Sequence, residues 1–153
     1  MLLRTHVVFA IAAGFLALRY LLAVPPAAAL AAAAAISLAV NPIVDFLGHE
    51  HGRRSPRTHE PLHAAVLGAA VGGVLGLAIP YAAPWAAAAG AVEALSHLFL
   101  DAFTEHGIYV RRNGRYKRFA FAHLRYNDPT ANGLTAAFSI LIIVAVLLQP
   151  SLS

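Results

Sequence analysis

Long stretches of the chain carry no charged residue, and short polar segments separate them. No Asp, Glu, Lys or Arg occurs in residues 20–44, 61–92 or 129–153. A helix that spans a bilayer needs about 20 mainly apolar residues, and prolines and glycines divide these stretches into runs of that size. The pattern predicts five helices, at about residues 6–24, 27–47, 61–79, 85–103 and 131–148. We therefore predict an all-α, polytopic membrane helix bundle of about five spans, with residues 1–153 forming a single integral membrane domain.

Composition agrees with this interpretation. Hydrophobic residues make up 59% of the chain and charged residues only 12%, whereas soluble domains carry about a quarter charged residues. Alanine-rich stretches such as residues 27–35 also suit the buried helices of a soluble all-α protein, which is the alternative. The first apolar run resembles a secretory signal. It contains Arg19 and leads directly into a second apolar segment, so we expect a retained first helix.

The segment between the fourth and fifth helices has a different pattern. β-favouring residues flank Asn113-Gly114, and this dipeptide is the strongest short signal for a hairpin. We predict a small cationic β-hairpin outside the hydrocarbon, with an ordinary structured loop as the alternative. Its basic side chains are Arg111, Arg112, Arg115, Lys117 and Arg118.

The distribution of basic residues predicts an orientation. They lie before the first helix, in a loop at about residues 48–60 and in a loop at about residues 104–130, whereas the opposite turns and the C-terminal tail have none. Five alternating spans put all three segments on one side, which the positive-inside rule makes cytoplasmic. We therefore predict a protein of the cell (inner) membrane with a cytoplasmic N-terminus and cytoplasmic large loops. The pI near 10.0 then reflects orientation and contact with the lipid bilayer rather than nucleic-acid binding.

Acidic and histidine residues gather at this predicted cytoplasmic face. Residues four apart lie on one side of a helix, one turn from each other. Three sets have this spacing: Asp45 with His49, His59 with His63, and Glu93 with His97 and Asp101. Imidazole and carboxylate donors suit zinc, manganese or iron(II), and the chain has no Cys for a thiolate site. A carboxylate stripe in a spanning helix is costly unless it is paired or interfacial. A stripe in water, or one paired with loop arginines, is therefore the alternative to a metal site.

Other polar residues surround these sets. His6 opens the first helix on the same side, either as a ligand or as an interfacial histidine. Thr58 and Glu60 flank His59 as supporting partners or, for Glu60, as a base. Asp128 precedes Pro129 and is expected to cap the fifth helix.

Three blocks of sequence contain most of these polar residues. The first is Thr5-His6. The second is Asn41-Pro42-Ile43-Val44-Asp45, followed by Arg57-Thr58-His59. The third, from Ser96 to Ile108, has the pattern His-x-x-x-Asp-x-x-Thr-x-x-Gly. Together they resemble the LexA-regulated, inner-membrane, metal-dependent hydrolase family of YdjM-like proteins, which includes archaeal relatives of unknown function.

The resemblance implies a metal site whose ligands are His6, Asp45, His59, His97 and Asp101. The order of these residues is also similar to one zinc site of the all-α zinc-dependent phospholipase C and nuclease group, which implies hydrolysis of phosphate esters. The family commonly has Ser after its Thr-His pair, whereas this chain has Glu60. That residue either adds a carboxylate ligand or base, or marks a diverged site.

We therefore expect a membrane-bound metal-dependent hydrolase that acts on phosphate esters or lipid headgroups at the cytoplasmic face. Zinc is the expected metal and manganese the alternative. Glu60 or Glu93 would accept a proton from water, and the five basic hairpin side chains would hold an anionic lipid or a phosphate-containing substrate. The alternative is a non-catalytic membrane protein with a structural metal or polar cluster. A metal or proton transporter is disfavoured because the third and fifth helices are nearly devoid of polar residues away from their cytoplasmic ends.

Overall fold

Five α-helices make up most of the chain that the computed structural model describes, residues 1–50 and 53–149. They are α1 (Leu3–Leu16), α2 (Pro26–Gly48), α3 (Pro61–Gly76), α4 (Ala83–Ala102) and α5 (Pro129–Leu147), and α1 continues as a π-helical turn, Ala17–Leu21. The five predicted helices are confirmed, but α1 begins three residues earlier than expected, and α4 and α5 begin two residues earlier. The first helix, including its π-helical turn, and the third helix each end three residues earlier than expected. Pro84 and Pro129 lie inside the first turn, where a missing backbone N–H costs nothing. Asp128 caps α5 as predicted, since its Oδ1 accepts from the Ala131 N–H at 2.8 Å.

Among the described residues, three helices are long and apolar enough to cross a membrane: Leu3–Leu21, Pro26–Gly48 and Pro129–Leu147. Helix α5 exposes large apolar side chains along much of its length, for example Leu134 at 67% and Leu141 at 66%. Water disfavours a continuous apolar surface of this kind. The fold is therefore consistent with a membrane protein.

Helices α3 and α4 pack closely through glycine. A Cβ at Gly68 would collide with the carbonyl oxygen of Gly90, and one at Gly72 with the carbonyl oxygen of Ala86. Small residues at these positions let the two backbones approach directly, as in close-packed membrane helices. These contacts fix the position of α4 relative to α3.

The predicted hairpin between α4 and α5 is confirmed. Strand β3 (Ile108–Arg112) pairs antiparallel with strand β4 (Arg115–Phe119). Asn113 and Gly114 both have positive φ, 50° and 74°, which a two-residue turn of the primed type requires. The loop after α2, predicted only as polar, also contains a short antiparallel pairing of His49–Glu50 with Arg53–Arg54.

Polar residues are concentrated at one end of the bundle. The start of α1, the ends of α2 and α4 and the loop before α3 meet there, with Thr5, Asn41, Thr58 and Thr104 among the buried polar residues. The middle of the bundle is mainly apolar, with Glu93, Ser37 and Ser139 as buried polar exceptions. At the opposite end the Tyr20 hydroxyl donates to Gln149. The clustering predicted from helical spacing is therefore a property of the folded chain.

The glycine contact yields a signed prediction for stability. Gly72→Ala places a methyl group against the α4 backbone, and we expect it to destabilise the fold by about 1–3 kcal/mol. Gly73→Ala is the matched control, because its Cβ would meet only the Ala87 Cβ, at 3.5 Å, and glycine is a poorer helix former than alanine. Thermal unfolding of the purified protein should show a lower midpoint for Gly72→Ala and an unchanged or higher one for Gly73→Ala. Equal midpoints for the two variants would contradict the contact.

Candidate metal centre

Four ionisable side chains converge at the polar end of the bundle. Asp45 comes from α2, His59 from the loop before α3, and His97 and Asp101 from α4. His97 Nε2 lies 3.4 Å from Asp45 Oδ1 and 3.3 Å from Asp101 Oδ2. His59 Nε2 lies 3.9 Å and 3.5 Å from the same two oxygens. A tetrahedral zinc ion with bonds of about 2.0–2.2 Å holds its donors about 3.3–3.6 Å apart, and these four nitrogen–oxygen distances lie in or close to that range.

A hydrogen-bonded chain determines which nitrogen of His97 faces this group. His97 Nδ1 lies 2.9 Å from Asn41 Oδ1. The Asn41 amide nitrogen already donates to the Ser37 carbonyl and hydroxyl oxygens, so the Asn41 oxygen must accept from His97. The Ser37 hydroxyl in turn donates to the Val7 carbonyl. The hydrogen of neutral His97 is therefore on Nδ1, and Nε2 presents a lone pair to the carboxylates.

His59 is oriented in the same way by its neighbour. The Thr58 hydroxyl donates to the Val44 carbonyl at 2.7 Å, which leaves its oxygen to accept from His59 Nδ1 at 3.1 Å. Burial is the main reason that the pKa of His59 falls to about 3. The nearby Asp101 opposes this shift and Arg54 adds to it. The imidazole is therefore neutral at physiological pH, the form that binds metals.

Three of the four converging atoms lack a hydrogen-bond partner within the described part of the chain: His59 Nε2, His97 Nε2 and Asp101 Oδ2. Buried polar atoms almost always have a partner. When both imidazoles are neutral, their Nε2 lone pairs face carboxylate oxygens, and either a bound cation or a proton on His97 Nε2 relieves that repulsion. The residues therefore fit a divalent metal ion.

Arg54 occupies the other oxygen of Asp101. Its Nη2 lies 2.5 Å from Asp101 Oδ1, and the guanidinium is only 8% exposed. Its Nη1 donates to Thr104 Oγ1 and to the Gly107 carbonyl, at 3.1 and 2.8 Å. These extra bonds support a buried ion pair that would otherwise be costly. One predicted alternative was that the carboxylate stripe of α4 pairs with a loop arginine. Asp101 Oδ1 does so, whereas Asp101 Oδ2 has no hydrogen-bond partner in the described part of the chain.

His6 lies beside this group. Its ring stacks on His97 with centroids 3.9 Å apart, and its Nε2 is 3.2 Å from Asp101 Oδ1. Two sets have ligand atoms that all lie within 4.8 Å of one another: His6 with His97 and Asp101, and Asp45 with His59 and His97. The structure therefore brings all five predicted ligands together. Because Asn41 occupies His97 Nδ1, His97 has one nitrogen left for an ion.

The two predicted proton acceptors are placed differently. Glu60 caps α3, its Oε2 accepting from the His63 N–H at 3.0 Å. Glu93 is fully buried on α4, and its carboxylate packs where a Cβ on Gly14 would otherwise lie. Both Glu93 carboxylate oxygens lack a partner among the described residues. A role as base stays a prediction for both glutamates.

The centre opens to its surroundings beside Asp45. The Asp45 side chain is 29% exposed, whereas those of His59 and His97 are completely buried. His49 lines this opening, with its Nδ1 2.7 Å from the Asp45 carbonyl oxygen and its ring 5.3 Å from that of His59. A substrate would therefore approach from the Asp45 side.

Residues 1–100 match the model of a family described as a protein of unknown function, DUF1286. The chain belongs to the DUF1286 family. The matched region includes His6, Asp45, His59 and His97 and ends one residue before Asp101. No curated protein and no solved structure matches the chain.

Sequence reasoning missed two residues of this DUF1286 site. The sequence offered loop arginines as partners of the carboxylate stripe without singling out Arg54, and it gave Asn41 only as part of a motif. Asn41 lies one helical turn before Asp45, and Arg54 lies five residues before His59 in the loop. That proximity is a weak signal, because such residues are common at helix ends. Their contacts to Asp101 and His97 depend on how the helices pack.

Metal analysis tests the centre directly. Purified protein should contain about one zinc or manganese ion per chain at the site, and His97→Ala or Asp101→Ala should lose it, because each removes one of four donors. His106→Ala is the control, since that side chain is 52% exposed and lies beside Glu105. Folded protein that binds neither metal would contradict the site.

The hydrogen bond from His97 to Asn41 gives a second prediction. Asn41→Ala removes the acceptor that holds His97 Nδ1, and loss of such a partner typically lowers metal affinity by about 10–100-fold. Asn127→Ala, at an exposed position, should leave the affinity unchanged. Competition with a chelator of known affinity measures both. An Asn41→Ala protein with wild-type affinity would show that the orientation of His97 does not depend on Asn41.

Proposed function

We propose that the chain is a membrane-bound metal-dependent hydrolase of phosphate esters, including phosphate-containing lipid headgroups. The observation that carries this proposal is the set of four converging donor atoms, three of them without a partner among the described residues. Structural polar clusters normally satisfy their own hydrogen bonds. This one leaves lone pairs directed at a common centre, beside an opening at Asp45.

Two nitrogen and two oxygen donors favour zinc, with manganese as the alternative. A divalent ion held there would polarise a phosphoryl oxygen and lower the pKa of a coordinated water. The chain's own residues would hold the substrate and move the proton. Asp45 borders the opening, and Glu60 or Glu93 is the proposed proton acceptor. The hairpin cations would attract an anionic substrate.

The YdjM-like signature, His-x-x-x-Asp-x-x-Thr-x-x-Gly, supports the proposal because each of its four named residues has a physical role here. His97 and Asp101 supply donors. The Thr104 hydroxyl donates to the Asp101 carbonyl at 2.9 Å and accepts from Arg54. Gly107 has φ of +61°, a conformation that favours glycine, and its carbonyl accepts from Arg54. We therefore retain a relationship to the YdjM-like hydrolases as part of the proposal.

We also propose that all five helices span the membrane, with the N-terminus and large loops in the cytoplasm. Helices α3 and α4 form an antiparallel pair joined by a short turn, and they are fastened together by glycine contacts. The basic segments lie at the end of the bundle that holds the candidate centre. At the other end, the connections around Pro25 and Pro80 are uncharged, and Arg19 lies in the π-helical turn of α1. The positive-inside rule then assigns the orientation.

A structural role is the second candidate. The chain of hydrogen bonds from His97 through Asn41 and Ser37 to Val7 joins α4, α2 and α1. A metal at this junction would stabilise the bundle without reacting with anything. This alternative predicts bound metal and no turnover.

Turnover distinguishes the two roles. Zinc- or manganese-loaded protein should hydrolyse phosphatidic acid or a generic phosphodiester such as bis(p-nitrophenyl) phosphate. His97→Ala and Asp101→Ala should lower the rate by at least about 100-fold, because each removes a donor from the ion. The control is His106→Ala, which should retain the rate. Stoichiometric metal with no turnover on any phosphate ester would favour the structural role, and the absence of bound metal would contradict both.

A further inference from the structure

The hairpin formed by β3 and β4 carries an uncompensated positive charge. Five of its residues are basic, and residues 108–119 contain no acidic residue. Within the described chain, no ion pair joins these side chains to a carboxylate. Arg112 lies directly opposite Arg115, and like charges placed opposite each other destabilise a strand pair. The hairpin as a whole therefore attracts anions.

The pairing register divides these charges between two faces. Successive side chains of a strand point to opposite sides of the sheet, and Tyr109 pairs with Arg118 while Arg111 pairs with Tyr116. These four residues share one side, which we call the tyrosine face. The opposite face holds Ile108, Val110, Arg112, Arg115, Lys117 and Phe119.

The tyrosine face is attached to the segment that builds the candidate metal centre. The Tyr109 N–H donates to the His59 carbonyl at 2.8 Å. The Tyr109 hydroxyl donates to the Arg54 carbonyl at 3.1 Å. The ring of Tyr116 lies 6.0 Å from that of His63. Arg111 and Arg118 therefore project on the same side as two tyrosines that contact this segment.

We propose that Arg111 and Arg118 form a phosphate-binding subsite for the candidate centre, which makes its substrate a phosphomonoester or phosphodiester. The two arginines are diagonal neighbours on one face, a relation that separates residues by about 7–8 Å. Two guanidinium groups at that spacing reach one phosphate from two sides, each with paired N–H donors. The subsite rests on the proposed hydrolase function. The phosphate belongs either to a lipid headgroup or to a soluble ester.

The hairpin supplies its own matched controls. Arg111→Gln and Arg118→Gln each remove one charge from the tyrosine face, and Arg112→Gln and Arg115→Gln each remove one from the opposite face. All four change the net charge equally, so long-range attraction falls equally. A difference between the pairs therefore reports direct contact.

Calorimetric titration of the full-length protein in a neutral detergent, in about 0.15 M salt to limit long-range effects, makes this comparison. The probes are phenyl phosphate and dihexanoyl phosphatidic acid. We expect Arg111→Gln and Arg118→Gln to raise the Kd for a bound probe by roughly tenfold, because each removes a charge-assisted pair of hydrogen bonds. The two controls should change it by less than about twofold. If the tyrosine-face variants bind both probes more weakly, the subsite recognises the phosphate group alone. If they bind only phosphatidic acid more weakly, the subsite recognises a lipid.

Three results would overturn the subsite: equal losses on both faces, no loss on the tyrosine face, or failure of the wild-type protein to bind either probe. The outcome separates from that of the hydrolase proposal because binding is measured without turnover. Selective loss on the tyrosine face in a protein that hydrolyses nothing would leave the subsite in place and remove the hydrolase. If the protein is a metal-dependent hydrolase and its four variants bind the probes with equal Kd, the hydrolase proposal stands and the subsite is removed.

Discussion

The carboxylate of Asp101 must be neutralised, because it is completely buried and an uncompensated charge in such a place is very costly. One oxygen pairs with Arg54, and the other faces Nε2 of His59 and Nε2 of His97. The first oxygen ties the loop before α3 to the end of α4. The second has no partner in the described chain. Both the packing at this end of the bundle and the proposed chemistry follow from how these two oxygens are satisfied.

Hydrogen bonds behind the imidazoles complete this arrangement. Asn41 and Thr58 hold the far nitrogens of His97 and His59, so both lone pairs are directed inward. Asn41 in turn depends on Ser37, and Ser37 on the backbone of α1. Helices α1, α2 and α4, which carry His6, Asp45 and the His97–Asp101 pair, are therefore joined by the same hydrogen bonds that orient His97. Such support is what keeps a metal site in a productive geometry.

The hairpin extends this arrangement outward. Its first strand bonds to the backbone of His59 and Arg54 through Tyr109, so a surface element with five basic side chains is attached to the buried centre. Arg54 also bonds to Gly107, immediately before β3. One buried arginine thus connects the candidate ligand Asp101 with the base of the cationic hairpin. An anion held by that hairpin would lie close to the segment that carries His59.

Local pattern was enough to predict the helices, the hairpin and the helical pairs of acidic and histidine residues, whereas the set of five ligands was implied by the resemblance to the YdjM-like proteins. Uncharged runs bounded by proline determine where helices form, Asn113-Gly114 suits only a tight turn, and spacing by four puts His97 and Asp101 on one face regardless of packing. The roles of Arg54 and Asn41 could not be predicted in this way. Their partners are 47 and 56 residues away, and only the packing of α1, α2 and α4 brings them together. The sequence by itself determined the elements and the donor chemistry, because both depend on neighbouring residues. The tertiary structure decided which oxygen of Asp101 is neutralised and which is left for an ion, because that depends on contacts between distant segments.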